Sequence, residues 1–193
     1  MSNSHPAELK NLRHAYGLVF CHSKAPIQRV ATLAKDLAEY GKTDDYRKHN
    51  TVTWTALESF DHLGLALDGT INRRYGGHVA WSNWVLKPGQ IKTLQGDFGL
   101  VKEILPRSQI VAAAIAGARD CDERFSTAHK RAWAQSGSAV ALDTNNCAAW
   151  KRVWDSLTES QPDEIPKQRL AWIQLAEIWD YAGLDPLPTA SPS

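Results

Sequence analysis

Residues 107–135, RSQIVAAAIAGARDCDERFSTAHKRAWAQ, carry the pattern that decides the predicted fold. Apolar and small residues recur there at steps of three and four, as Ile110, Ala114, Gly117, Cys121, Phe125, Ala128 and Ala132. Steps of this length place side chains on one face of a helix. The stretch therefore predicts one long helix that continues to about Gln135 and is closed by Gly137.

The same spacing predicts further helices on both sides of this stretch. Before it, apolar side chains mark helices over 9–20, 27–40 and 52–67, and the second is bounded by Pro26 and Gly41. The β-prone run at 51–55 leaves the start of the third helix open. Helix returns over 98–105, and two later helices are predicted from about Thr144 and from Ile165.

Residues 78–94 interrupt the helical period. The run HVAWSNWVL at 78–86 lies between Gly76-Gly77 and a Pro88-Gly89 pair that suits the middle of a type II turn. With 91–94 as the return strand, this pattern predicts a β-hairpin, although a helix over 79–86 stays open. The predicted fold class is mainly α: six or seven packed helices with one β-hairpin inserted near residues 78–94.

Length and composition indicate one globular domain. The chain has 193 residues, of which 43% are hydrophobic and 22% charged, as in ordinary folded proteins. The sequence contains no internal repeat and no linker-like stretch. We therefore expect a single helical domain over 1–185 and a flexible C-terminal tail over 186–193.

Several function classes lack support in the sequence. The 22 basic and 21 acidic residues nearly balance, so net charge does not indicate a nucleic acid or a membrane as partner. No phosphate-binding loop, nucleophile elbow or His-Glu-x-x-His motif is present. Cys21, Cys121 and Cys147 are too scattered for a zinc site or a disulfide framework. We expect no cofactor, no metal and no membrane segment, and a cytoplasmic location.

A basic and aromatic segment is the first candidate site. No acidic residue lies between Asp68 and Asp97. Within that stretch, residues 71–92, here called the binding segment, contain the candidate contact residues Arg73, Arg74, Tyr75, His78, Trp81, Trp84 and Lys87. Cations neutralise phosphates and aromatic rings stack on bases. In the open alternative, Trp81 and Trp84 hold the hairpin against the helices while the two arginines are solvated.

Residues 124–129, RFSTAH, form the second candidate site. Arg124 and His129 resemble the Arg-x(4–6)-His element of the HEPN ribonuclease family. The resemblance implies a helical bundle, often dimeric, that cleaves RNA without a metal. His129 would act as acid or base on the ribose 2′-hydroxyl and Arg124 would stabilise charge on the phosphate. The open alternative is a solvated pair on a helix beside other basic residues.

These features favour a binding protein over an enzyme. The principal hypothesis is a non-catalytic protein that engages a nucleic acid or a nucleoprotein complex through the binding segment. The alternatives are a HEPN-like, metal-independent endoribonuclease that uses Arg124 and His129, and a protein–protein adaptor or inhibitor without nucleic-acid contact. The sequence leaves the oligomeric state open. The tryptophans of the predicted helices are expected to fill the core, namely Trp133, Trp150, Trp154, Trp172 and Trp179.

Overall fold

A computed structural model describes residues 12–57, 84–119, 122–140, 144–158 and 165–182. Over these residues the chain is mainly helical with a small three-stranded sheet, which confirms the predicted fold class. In chain order the elements are β1 (Ala15–Cys21), α1 (Ile27–Tyr40), a 3-10 helix (Asp44–Lys48), β2 (Thr51–Leu57), β3 (Val85–Leu86), α2 (Pro88–Ile104), α3 (Arg107–Ala118), α4 (Asp122–Val140), α5 (Thr144–Leu157) and α6 (Ile165–Ile178).

Backbone contacts divide the described residues into two compact units. The first unit contains residues 12–57 and 84–88, and so holds the three strands and α1. The second contains the described residues from 89 onward and is helical. The single domain expected over 1–185 stays a prediction, and the tail expected over 186–193 lies outside the described residues.

The first unit is built around a strand–helix–strand connection. β1 and β2 pair in parallel, with Ala15 opposite Thr51 and Cys21 opposite Leu57. Parallel neighbours require a crossover connection, and α1 supplies it. β3 joins the other side of β2 in antiparallel orientation, with Val85 opposite Thr53. The strand order is therefore β1-β2-β3, and β2 is the central, largely buried strand.

Helix α1 lies very close to β1 at Gly17. A Cβ atom at this position would overlap the backbone carbonyl of Ala34 and lie 2.9 Å from the amide nitrogen of Ala38. Leu33 and Leu37 of α1 are buried in the same unit. The absence of a side chain at Gly17 is therefore what allows the helix to approach the strand.

The helices predicted over 9–20 and 52–67 are wrong where the structure describes them. Residues 15–21 and 51–57 are strands, and the remaining parts of both predictions lie outside the described residues or in the three residues before β1, which belong to no helix or strand. β-branched and aromatic residues are frequent in both runs, and burial alternates over the first half of β1. Pairing between two distant segments overrides the local helical spacing.

The strand expected near 78–86 is present only in part. Val85–Leu86 forms β3, and residues 78–83 lie outside the described residues. The return strand predicted over 91–94 is wrong, because these residues belong to α2 and the partner of β3 is β2. Pro88 is the first residue of α2, where its fixed φ and missing N–H are well tolerated. The Pro-Gly pair thus begins a helix and not a turn.

The second unit packs its helices around one apolar core. α3 contacts α4 and α6, and α5 contacts the same two helices. Phe98 of α2 lies edge-on to Trp179, with ring centroids 5.5 Å apart. The side chains that are almost fully buried in this unit are Phe98, Val101, Leu105, Ile110, Val153, Trp154, Trp172 and Leu175.

The long helix predicted through residues 107–135 is wrong, because α3 ends at Ala118 and α4 begins at Asp122. Arg169 of α6 bridges the two ends. It donates to the carbonyl oxygen of Gly117, at 3.5 Å, and pairs with the Asp122 carboxylate. Acidic residues favour a helix N-terminus and a cation favours exposed C-terminal carbonyls, so these charges stabilise the break. Gly137, the expected end, lies inside α4.

Candidate functional site

The structure describes only the C-terminal part of the binding segment. Trp84 and Lys87 lie within the described residues, whereas Arg73, Arg74, Tyr75, His78 and Trp81 lie outside them. The contact roles assigned to those five residues therefore stay predictions. Lys87 is exposed, as the predicted role requires.

Trp84 is a core residue of the first unit. Its side chain is 2% exposed and packs edge-on against Trp54 of β2, with ring centroids 4.9 Å apart. The two residues that follow it form β3 and pair with Val52 and Thr53. A ring buried in this way cannot stack on a nucleic-acid base. This placement corrects the contact role predicted for Trp84. It agrees with the alternative in that Trp84 is an anchor, although the ring packs on strand β2 and not on the helices that the alternative named.

The first acidic residue after the binding segment is neutralised. Asp97 accepts two hydrogen bonds from the Arg152 guanidinium, both at 2.7 Å. This bidentate geometry is the strongest form of a carboxylate–guanidinium pair. Lys92, in the first turns of α2, is exposed. The α2 part of the binding segment therefore presents a cation, while the nearest carboxylate on that helix is already paired.

Arg124 and His129 do not face a common cleft. Five residues along a helix correspond to a rotation of roughly 140°. Arg124 is exposed and lines an open cavity of about 410 Å³ together with Glu123, Thr127, Ala128 and Arg131. His129 is not among the residues that line this cavity. The arrangement that the HEPN resemblance implies is therefore not assembled from these two residues of one α4 helix.

His129 lies instead in an aromatic cluster. Trp172 donates its indole Nε1–H to His129 Nδ1 at 3.0 Å. The Trp133 ring stacks on the imidazole, with centroids 5.7 Å apart and an interplanar angle of 20°. Phe125 and Trp154 complete the surroundings, at 5.8 and 5.7 Å. We refer to Phe125, His129, Trp133, Trp150, Trp154 and Trp172 as the aromatic cluster.

The environment of His129 favours the neutral imidazole. Burial lowers the pKa of His129 below its ordinary value because the charged form is desolvated, and the neighbouring Lys130 charge lowers it further. Since Nδ1 accepts the Trp172 hydrogen bond, the proton of the neutral ring is on Nε2. These features describe a structural histidine that accepts a buried indole N–H.

Sequence reasoning did not connect His129 with the tryptophans. The signal was present, since Phe125, His129 and Trp133 recur at steps of four and so share one stripe of α4. The expected core role of the tryptophans holds for Trp150, Trp154, Trp172 and Trp179, which are buried, whereas Trp133 is 40% exposed.

We expect acid to destabilise the protein through His129. In the folded chain this residue takes up a proton less readily than in the unfolded chain, so the unfolded state binds more protons once pH falls below about 6.5. Its contribution is therefore complete above that pH and is lost progressively below it. Thermal unfolding from about pH 8 to pH 5 measures the effect, and His129→Gln should flatten the profile. If stability falls equally with pH in the unaltered protein and in His129→Gln, this role of His129 is contradicted.

The same substitution at His49 serves as a control. His49 is exposed and lies outside the aromatic cluster. His49→Gln should therefore leave the pH profile of stability unchanged.

In the described part of the chain, no group of three or more His, Cys, Asp or Glu side chains could hold a metal ion. No described helix combines the length and apolar character needed to cross a membrane. Comparisons with protein-family models, curated proteins and solved structures gave no match.

Proposed function

We propose that this protein is a non-catalytic binding protein that engages a nucleic acid, alone or within a nucleoprotein complex, through the binding segment. The observation that carries the proposal is the run from 69 to 96, which has no acidic residue and contains Arg73, Arg74, Lys87 and Lys92. Such a concentration of positive charge attracts a polyanion by releasing its counterions.

Two structural features support this reading. Trp84 and β3 fix the C-terminal part of the binding segment to the central strand of the sheet. Lys87 directly follows β3, and this attachment limits the conformational entropy that its contact with a partner would cost on binding. In addition, the pairing of Asp97 with Arg152 removes the nearest downstream carboxylate as a source of repulsion toward phosphate.

The test is a double substitution in the binding segment. We expect Arg73→Ala with Arg74→Ala to weaken binding of a fluorescein-labelled, mixed-sequence single-stranded RNA and of its DNA counterpart. Because two phosphate contacts are lost, the slope of log affinity against log salt should become shallower by roughly one to two units. The free energy of unfolding should change by less than about 0.5 kcal/mol, since the sequence predicts a turn at these two charges beside Gly76-Gly77, and surface substitutions usually have effects of this size.

Arg124→Ala with Arg131→Ala provides the matched control. It removes the same charge from exposed positions on α4, outside the binding segment. We expect this control to bind both oligonucleotides as the unaltered protein does. If the two double variants lose affinity equally, the effect reflects overall charge and the proposal is wrong.

The alternative functions give different outcomes in the same assay. Cleavage of the RNA in EDTA, lost in the Arg124→Ala variant, would replace the proposal with the HEPN-like endoribonuclease. If neither oligonucleotide binds at low salt, the adaptor or inhibitor without nucleic-acid contact replaces it.

A further inference from the structure

The strand β1 lies at an edge of the sheet. The strand order is β1-β2-β3, and within the described residues β2 is the only strand that pairs with β1. β1 has seven residues, which is long for an edge strand that is not protected. An edge of this kind presents a row of backbone donors and acceptors to any extended chain.

The pairing with β2 identifies the outward-facing backbone groups. The Thr51 amide donates to the carbonyl oxygen of His14 at 2.9 Å. In a parallel pair the direction of the backbone groups alternates, so His14, Tyr16 and Leu18 bond toward β2. The N–H and C=O groups of Ala15, Gly17, Val19 and Cys21 therefore point to the outer edge.

One face of β1 is apolar and exposed. The Gly17 side of the strand is covered by α1. On the opposite face, Tyr16 and Leu18 are 57% and 44% exposed, and Leu12, just before the strand, is 55% exposed. A strand added at the outer edge would bring its own side chains beside these residues and cover them.

β1 lacks the features that keep edge strands from pairing. The sequence Ala-Tyr-Gly-Leu-Val-Phe-Cys contains no charged residue and no proline. Natural edge strands commonly carry an inward-pointing charge, a proline or a bulge that prevents further pairing. The absence of these devices in β1 indicates an edge that accepts another strand.

The charges around β1 specify the occupant. Arg13 and Lys24 bracket the strand, and no acidic residue occurs from 12 to 35. The Arg13 guanidinium donates to the carbonyl oxygens of Lys48 and Leu12, which are neutral acceptors, so its positive charge is not paired with either of them. A second copy of the chain would place basic residues beside basic residues, in parallel or in antiparallel pairing, and like charges at close range are unfavourable. A strand with acidic flanks would meet opposite charge at both ends.

We propose that the outer edge of β1 is a docking site for an apolar β-strand of another polypeptide, flanked by acidic residues. The docked strand bonds to the outward backbone groups, packs over Tyr16 and Leu18, and places its acidic ends near Arg13 and Lys24. This is recognition by strand addition, in which the backbone supplies affinity and the flanks supply specificity. It is independent of the binding segment.

The probe is a labelled peptide of roughly nine residues. Its centre alternates valine and threonine, two glutamates flank each end, and the matched control peptide carries lysine flanks. The affinity of each peptide for the full chain is measured by fluorescence anisotropy at about 0.1 M salt. We expect the glutamate peptide to bind at least about tenfold more tightly than the lysine peptide. Equal affinities would overturn the proposal.

A pair of protein variants tests the location. Leu18→Lys puts a charge on the exposed face of β1. It should weaken the binding of the glutamate peptide to the protein by at least about tenfold. Ile27→Lys is the control, because Ile27 is 75% exposed at the start of α1 and gains the same charge. The control should bind like the unaltered protein. Equal losses in the two variants would place the site elsewhere.

A third test modifies the peptide and leaves the protein unaltered, so its result does not depend on whether a protein variant folds. N-methylation of one alternate set of peptide residues removes the N–H groups that face β1, whereas methylation of the other set removes those that face solvent. We expect only one of the two methylated peptides to bind. Binding of both, or of neither, contradicts strand addition.

Two other occupants of the edge are separate outcomes that overturn the proposal. If sedimentation shows that the chain dimerises and that Leu18→Lys abolishes the dimer, the occupant is a second copy. If deletion of residues 1–11 is required before the glutamate peptide binds, the occupant is that segment of the same chain.

Discussion

Replacing Trp154 with alanine is expected to lower the free energy of unfolding by about 3–5 kcal/mol, as truncation of a buried aromatic residue does. The side chain is 1% exposed. Its ring centroid lies 5.2–5.7 Å from those of His129, Trp133, Trp150 and Trp172, so it packs against four of the other five members of the aromatic cluster. Chemical denaturation followed by circular dichroism measures the loss.

Ile115→Ala is the control for this prediction. Ile115 is a large apolar residue of α3 in the same unit, but it is 48% exposed. Its truncation should change the free energy of unfolding by no more than about 0.5 kcal/mol. A loss below about 1 kcal/mol for Trp154→Ala would mean that the aromatic cluster does not form the core of this unit.

Gly17→Ala is expected to lower the free energy of unfolding by about 3 kcal/mol or more. The added methyl group would overlap the Ala34 carbonyl and meet the Ala38 amide at 2.9 Å. Both neighbours are backbone atoms of α1, so no side-chain rotation can relieve the overlap. Chemical denaturation should show this loss as a shift of the midpoint.

Gly96→Ala makes the same chemical change where space is open. Gly96 lies inside α2, and a Cβ atom there would meet nothing within 4 Å. Because alanine restricts the unfolded chain and suits a helix, we expect a gain of about 0.5–1 kcal/mol. If Gly17→Ala is as stable as the unaltered protein, α1 does not approach β1 as described.

Sequence spacing predicted the helices whose starts or ends are marked by particular residues in the chain. α1 follows Pro26 and stops at Gly41, and α5 and α6 begin at Thr144 and Ile165 as expected. The residues that mark these starts and stops are neighbours of the helices in the chain, even for α6, which is buried on every side over residues 170–175. Such information is contained in consecutive residues, so sequence analysis could use it.

The strands could not be predicted in this way, because their partners are distant in the sequence. Tyr16 pairs with Val52, and the spacing of Leu12, Tyr16 and Val19 also fits a helix. Only the contact with β2 distinguishes the two conformations, and the sequence does not display that contact. The mistaken return strand at 91–94 has a related cause, since Pro88 is suited to a turn and to the first position of a helix.

For the candidate sites, the sequence identified the types of residue involved but not where their side chains point in the fold. It marked Trp84 as a contact residue, whereas the ring packs against Trp54. It joined Arg124 to His129 by their separation along the chain, whereas the two side chains lie on different faces of α4. Composition alone states which chemical groups are available, and tertiary packing decides which of them a ligand could reach.

The bridge formed by Arg169 also affects the order in which this chain can complete its fold during synthesis. The guanidinium contacts Gly117, Asp122 and the Phe125 ring, which precede it in the chain by 52, 47 and 44 residues. A ribosome that has translated only α3 and α4 has not yet produced the side chain that stabilises their junction. Until α6 emerges, the continuous apolar stripe of 107–135 leaves the nascent chain able to form a single long helix. Arg169 can therefore stabilise the break only after translation has passed residue 169.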